Sequence, residues 1–225
     1  MKNHVRFLAL LSLIVVILLA ACGVKTPSSP VVVPGSLQTI EAAAEDIIDF
    51  APSGNWDKIG TDVSDISNAW KSYQPQAVKD GASQDIQAAM TSALIQLESA
   101  STSKDPGGTM QASNDISAAV VELFDLYHPT VPVDIGRLDV LERQVILDVA
   151  ANDFSAAVAS LDKTKSVWEK VKPSVLEHNG EEVAAEFEAS LATQASALDA
   201  KDAAALTDEA TKALELVDAL EVLYG

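Results

Sequence analysis

The chain is poor in the residues that most active-site chemistry uses. It has one cysteine and three histidines, and only 5% of its residues are aromatic. A single cysteine excludes a disulfide framework, which needs pairs. Basic residues are scarce as well: 15 Lys+Arg stand against 33 Asp+Glu, a formal net charge of −18. That balance argues against the basic face on which nucleic-acid binding depends. At 48% hydrophobic residues the chain is too apolar for an acidic disordered segment. It carries no Gly-x-Ser-x-Gly, P-loop or Rossmann glycine pattern and no Cys-x-x-Cys-His. No EF-hand loop of alternating acids is present. Serine hydrolase chemistry has no histidine beside its serines to start from, and the chain is expected not to be an enzyme.

The N-terminus holds what chemistry there is. Lys2, His4 and Arg6 form a short basic stretch, and Phe7 to Ala21 is apolar apart from Ser12. That run is shorter than the ~20 residues a helix needs to cross a hydrocarbon core, and it suits a secretory leader. It ends in Leu19-Ala20-Ala21-Cys22, followed by Gly23. The pattern resembles the lipobox of bacterial lipoproteins. The resemblance implies a signal peptide over 1–21, cleavage before Cys22, a diacylglycerol on its thiol and acylation of the freed amine. Two or three acyl chains anchor a protein stably without spanning the bilayer. It implies a body on the extracytoplasmic side of the cell membrane or outer membrane, and Gly23 rather than Asp favours the outer membrane in a Gram-negative host. Cleavage would remove two basic residues and no acids, leaving 13 Lys+Arg against 33 Asp+Glu, a net of −20. Residues 22–36 contain three prolines and three serines and read as an extended tether.

The remainder reads as all-α, in two tandem copies of one unit. Ile59, Val63, Ile66, Trp70, Tyr73 and Pro75 stand 98 residues before Ala157, Leu161, Thr164, Trp168, Val171 and Pro173. The apolar positions recur at intervals of 4 and 3, the seam of a helix in a bundle. After one inserted residue the offset becomes 97. Lys104-Asp105 then meets Lys201-Asp202, and Val120, Leu123 and Tyr127 meet Val217, Leu220 and Tyr224. An internal duplication of two four-helix bundle units, over 37–128 and 129–225, is the expected fold. The predicted helices are 37–51, 56–73, 76–101 and 109–127, then 136–150, 154–171, 174–199 and 203–223, with Pro75 and Pro173 ending the second helix of each unit. Trp70 and Trp168 are expected in the core, and Tyr127 and Tyr224 at bundle ends with their hydroxyls in water. Asp62, Asp65 and the many glutamates are expected on solvated faces.

Two arginines remain beyond the leader, Arg137 and Arg143. Both fall on the predicted first helix of the second unit, where Asp139 and Arg143 are spaced to pair. They are the candidates to hold an anionic group or an acidic partner, since guanidinium binds carboxylate in a bidentate way. No cofactor and no metal site are expected. His128 and His178 lie in or next to turns, and neither has a second His or Cys at i+3 or i+4. In helix number and duplication the chain is similar to the imelysin-like periplasmic proteins, which pair two four-helix bundles and bind metal. That family's His-x-x-Glu signature is expected to be absent, so the resemblance implies architecture and not metal binding. The expected function is a lipid-anchored, non-catalytic binding or scaffold module with a membrane and an envelope protein as partners. The alternative is an extracytoplasmic cation- or solute-binding protein of imelysin-like architecture.

Overall fold

The computed structural model describes residues 32–225. The proposed leader, Cys22 and the tether up to residue 31 lie outside the described residues. Within them the protein is all-α. Its helices are α1 (Gly35–Phe50), α2 (Trp56–Asp80), α3 (Gln84–Ser103) and α4 (Pro106–Phe124), then a 3₁₀ turn (Asp125–Tyr127). After the linker come α5 (Val133–Ala150), α6 (Phe154–Glu177), α7 (Glu181–Ala200) and α8 (Ala203–Val222). None of the described helices is long and apolar enough to cross a membrane.

Local chemistry explains the boundaries. Ser83, Asp153 and Asp202 precede helices and accept from the backbone N–H three residues on, which satisfies a donor that the first helical turn leaves open. Lys104 and Lys201 close α3 and α7 in the left-handed conformation, at φ 54° and 53°. Gly81 closes α2 at φ 98°, where a side chain would be strained.

The expected stops at Pro75 and Pro173 are not there. Both prolines lie inside helices, α2 and α6, which run on to Asp80 and Glu177. Both are exposed. Water therefore reaches the carbonyl that each ring leaves without a donor, so the helix bears the defect on its wet face. The true ends come where the backbone turns left-handed, at Gly81 and at Asn179, φ 60°. Residues 76–80 and 174–177 thus belong to the preceding helices, and α3 and α7 start later than the sequence suggests.

Two hydrophobic cores form. The first collects Leu37, Ile40, Ile47, Ile66, Trp70 and Leu123 among others from α1 to α4. The second collects Leu138, Val145, Trp168, Phe187, Val217 and Leu220 among others from α5 to α8. Each fully buried Leu, Ile or Phe contributes about 1.5–3 kcal/mol. The 4 and 3 spacing is realised: Ile59, Ile66, Trp70 and Tyr73 are buried on α2, and Ala157, Leu161, Trp168 and Val171 on α6. Both tryptophans lie in the cores, with Trp168 tilted against Phe187 at 4.8 Å between ring centroids.

Helix α1 packs on α2 and α4, and α3 on α4; α5 packs on α6 and α8, and α7 on α8. The cores are joined chiefly by α4 against α5. Gly136 permits that approach, because a Cβ there would come within 3.1 Å of Val121 Cγ2. Asn114 on α4 fixes the contact by donating to the Val140 carbonyl (3.1 Å) and to Gln144 Oε1 (3.1 Å).

Candidate binding cavity where the cores meet

The junction of α1, α4, α5 and α8 holds both candidate arginines. Arg137, one turn into α5, reaches back to α4. Its Nε and Nη2 donate to the two carboxylate oxygens of Glu122 at 2.8 and 3.0 Å, while Nη1 donates to Asp134 at 2.7 Å. Asp125 lies 3.4 Å away. These carboxylates hold the guanidinium charged and raise its pKa, the Glu122 hydrogen bonds most of all. Arg143, almost two turns further on, donates from Nη2 to Glu45 of α1 at 3.0 Å. Its Nη1 lies 2.7 Å from Asp139 Oδ2, an ion pair that falls short of a directed hydrogen bond. Both arginines therefore join α5 to the first four helices through acids of the same chain. An external anion would have to displace one of those carboxylates.

Acids outnumber bases around Arg143. Burial pushes the Asp139 carboxyl up to about 7, with Glu45, Glu221 and Asp218 adding to the rise and Arg143 opposing it. Glu41 is likewise pushed up to about 7, by burial first and then by Glu45, Glu221 and Asp139. Glu221 of α8 is raised for the same reasons.

Glu41 and Glu221 line a cavity of about 270 Å³. Apart from Gln38 of α1, its other walls are mostly apolar: Val121 and Phe124 of α4, Pro129, Val131 and Pro132 of the linker, and Val133 of α5. Both cores contribute to it. Among the described residues neither Glu41 nor Glu221 takes part in an ion pair or a side-chain hydrogen bond. The sequence offers no direct signal for this cavity, because its lining comes from four helices and a linker that only the fold brings together.

A second polar set lies inside the second core. Glu142 of α5 has no exposed surface, nor has Gln194 of α7. Gln194 Nε2 donates to Glu142 Oε2 at 2.9 Å, while Glu142 Oε1 and Gln194 Oε1 have no partner. Burial pushes the Glu142 carboxyl up to about 8, so at neutral pH the proton stays on. Ser190 and Thr164, also buried, lie on the facing helices. The sequence did hold a trace of this set. At the offsets of 98 and 97 read from the sequence, Glu142 aligns with Ala44 and Gln194 with Leu97.

Other side chains depart from expectation. Asp62 is not on a solvated face: it is buried and accepts from Lys58 at 2.7 Å, one turn away, so a cation from its own helix offsets its burial. The Tyr127 hydroxyl is not in water but lies 2.9 Å from the Tyr73 hydroxyl and donates to Asp80. Tyr224 donates to Ser174 at 3.0 Å. A His-x-x-Glu spacing does occur, at His178-Asn-Gly-Glu181. The turn at Asn179 and Gly180 puts its two ends on different helices, with His178 capping α6 and Glu181 opening α7. The His178 ring stacks on Tyr224 at 4.3 Å and its Nδ1 faces the Ser174 carbonyl at 2.8 Å. Among the described residues no three His, Cys, Asp or Glu side chains are placed to hold a metal ion. Comparison with protein-family models, with curated proteins and with solved structures finds no match for this chain.

Proposed function

We propose that the chain is a lipid-anchored protein of the bacterial envelope, held at Cys22, that acts as a non-catalytic binding module. In this reading the body consists of two four-helix units descended from one ancestral unit. The observation that carries the binding role is the cavity between the cores, with its largely apolar walls and two carboxylates that have no ion pair or side-chain hydrogen bond among the described residues. Such concave, largely apolar sites with a few convergent polar groups are where ligands bind. The leader ending in Leu-Ala-Ala-Cys supports the anchor.

The duplication is supported by matching contacts as well as matching residues. Tyr127 meets Asp80 at the end of the first unit, and Tyr224 meets His178 at the same place in the second, at offsets of 97 and 98. Arg143 meets Glu45, which is its own counterpart 98 residues earlier. A contact between counterpart residues is what a two-fold relation between the units produces near its axis, as in an isologous dimer. Two like acids at that place would repel, and the arginine in the second copy removes the clash. The counterpart of the close α4–α5 contact would be α8 against α1. That pair is not among the closely packed ones, and the cavity lies beside it.

The alternative, solute binding, is favoured over scaffolding by one observation: the carboxylates sit in the cavity and not on a flat face. The test is twofold. Cys22→Ala should move the protein from the membrane fraction to the soluble one, and wild type should label with radioactive palmitate. A photo-crosslinker at Gln38, on the rim of the cavity, should capture a ligand or partner that one at exposed Ile95 does not. A variant that stays membrane-bound, or equal capture at both positions, overturns the reading.

A further inference from the structure

We infer that the junction cavity is a binding site for a small organic ammonium ion, a cationic head on a short apolar body. The inference rests on the binding-module reading and names the ligand class for the same cavity.

The chemistry of the walls makes the selection. Val121, Phe124, Pro132 and Val133 offer apolar surface, which favours a hydrocarbon body and rejects a hydrated ion. Glu41, half-buried on α1, and Glu221, exposed at the mouth on α8, line that space without an ion pair or side-chain hydrogen bond among the described residues. The base close to them, Arg143, is already engaged by Glu45 and Asp139. A site with this surplus of acid repels anions. A neutral apolar ligand would bury the two carboxylates and leave them unpaired, at a desolvation cost. An ammonium group brings up to three N–H donors and a positive charge, so it can serve both carboxylates at once. A bare divalent cation would need about six oxygen ligands, and among the described residues no three acids are placed for one. Burial first, and the neighbouring acids after it, raise the pKa of Glu41 and Glu221, and a bound cation would oppose that rise.

The probe is hexylammonium, titrated into the purified full chain at pH 8 by calorimetry, beside hexanol and hexanoate of equal length. Hexylammonium should bind saturably at one site, and hexanol and hexanoate at least tenfold more weakly. Glu41→Gln with Glu221→Gln keeps side-chain shape and removes the charge; it should weaken hexylammonium at least tenfold and leave hexanol unchanged. Asp65→Asn, an exposed acid on α2, should bind as wild type. Hexanol binding as tightly as hexylammonium, no saturable hexylammonium binding, or full affinity in the double variant would each overturn the inference. The comparison of the three probes uses wild type alone, so it decides the matter even if the double variant fails to fold. Failure here with Cys22-dependent membrane attachment and capture at Gln38 intact would refute the ligand class and not the anchored module.

Discussion

Glu142 and Gln194 show how a single buried pair can be worth less than its apolar replacement. A carboxyl with no exposed surface is stable only with its proton on, and the Gln194 amide satisfies one of its oxygens and leaves the other alone. Removing one partner should therefore hurt more than removing both. Gln194→Leu alone, which copies Leu97 of the first half, should cost about 1–3 kcal/mol in urea denaturation at pH 8. Glu142→Met combined with Gln194→Leu should recover wild-type stability or exceed it. If the double variant is the less stable, the pair is structural in a way its unpaired oxygens do not suggest. Protonation sets a second expectation. Glu41, Asp139 and Glu142 have folded pKa values of about 7, 7 and 8, above the ordinary carboxylate range. The folded state thus binds more protons than the unfolded one between about pH 4.5 and 8, and its stability falls as pH rises through that window. Denaturation midpoints should be higher at pH 5.5 than at pH 8.5; equal midpoints would show that these acids ionise freely in the folded protein.

At the scale of the helices, α2 and α6 each tolerate a proline because it stands on the solvent side near the C-terminal end. Pro75→Ala restores a backbone donor without touching the core, and should stabilise the protein by about 1 kcal/mol after the greater freedom of the unfolded chain is counted. Gly81→Ala should destabilise by a similar amount, since alanine resists φ 98°. Thermal melts of the two variants should move in opposite directions. The helices themselves were legible in the sequence: the 4 and 3 spacing of Ile59 to Tyr73, the capping Asp153 and Asp202 and the lone break at Lys104-Asp105 all lie where periodicity and caps place them. The ends of α2 and α6 were not legible, because a proline's effect depends on which face of the helix it occupies, and that depends on tertiary packing. The same holds for Asp62 and Tyr127. Their burial follows from neighbours such as Lys58, Tyr73 and Asp80 that local pattern does not pair with them. The cavity was illegible for a stronger reason, since Glu41 and Glu221 are separated by most of the chain.

At the scale of the whole molecule, the arginines decide how the cores are joined. Arg137 ties α5 to α4, and Arg143 ties α5 to α1 across 98 residues. The Arg143 and Asp139 side chains are only 16% and 15% exposed, so this pair is screened little by solvent. Arg143→Ala should cost about 2 kcal/mol at pH 8 and less at pH 5.5, where protonation of Asp139 and Glu41 relieves the uncompensated charge. A loss that is the same at both pH values would place the role of Arg143 in packing. The net acidity of the chain favours solubility through self-repulsion, and the junction places some of that charge beside apolar walls. The proposed anchor at Cys22 and the proposed ligand site at the junction cavity can be tested in one measurement. Native mass spectrometry of the protein extracted from its own membrane tests the two together. It should report residues 22–225 carrying a diacylglycerol and acyl chain, with a small basic adduct that Glu41→Gln with Glu221→Gln no longer retains. A chain that starts elsewhere without lipid, or an adduct equally held by the double variant, would contradict it.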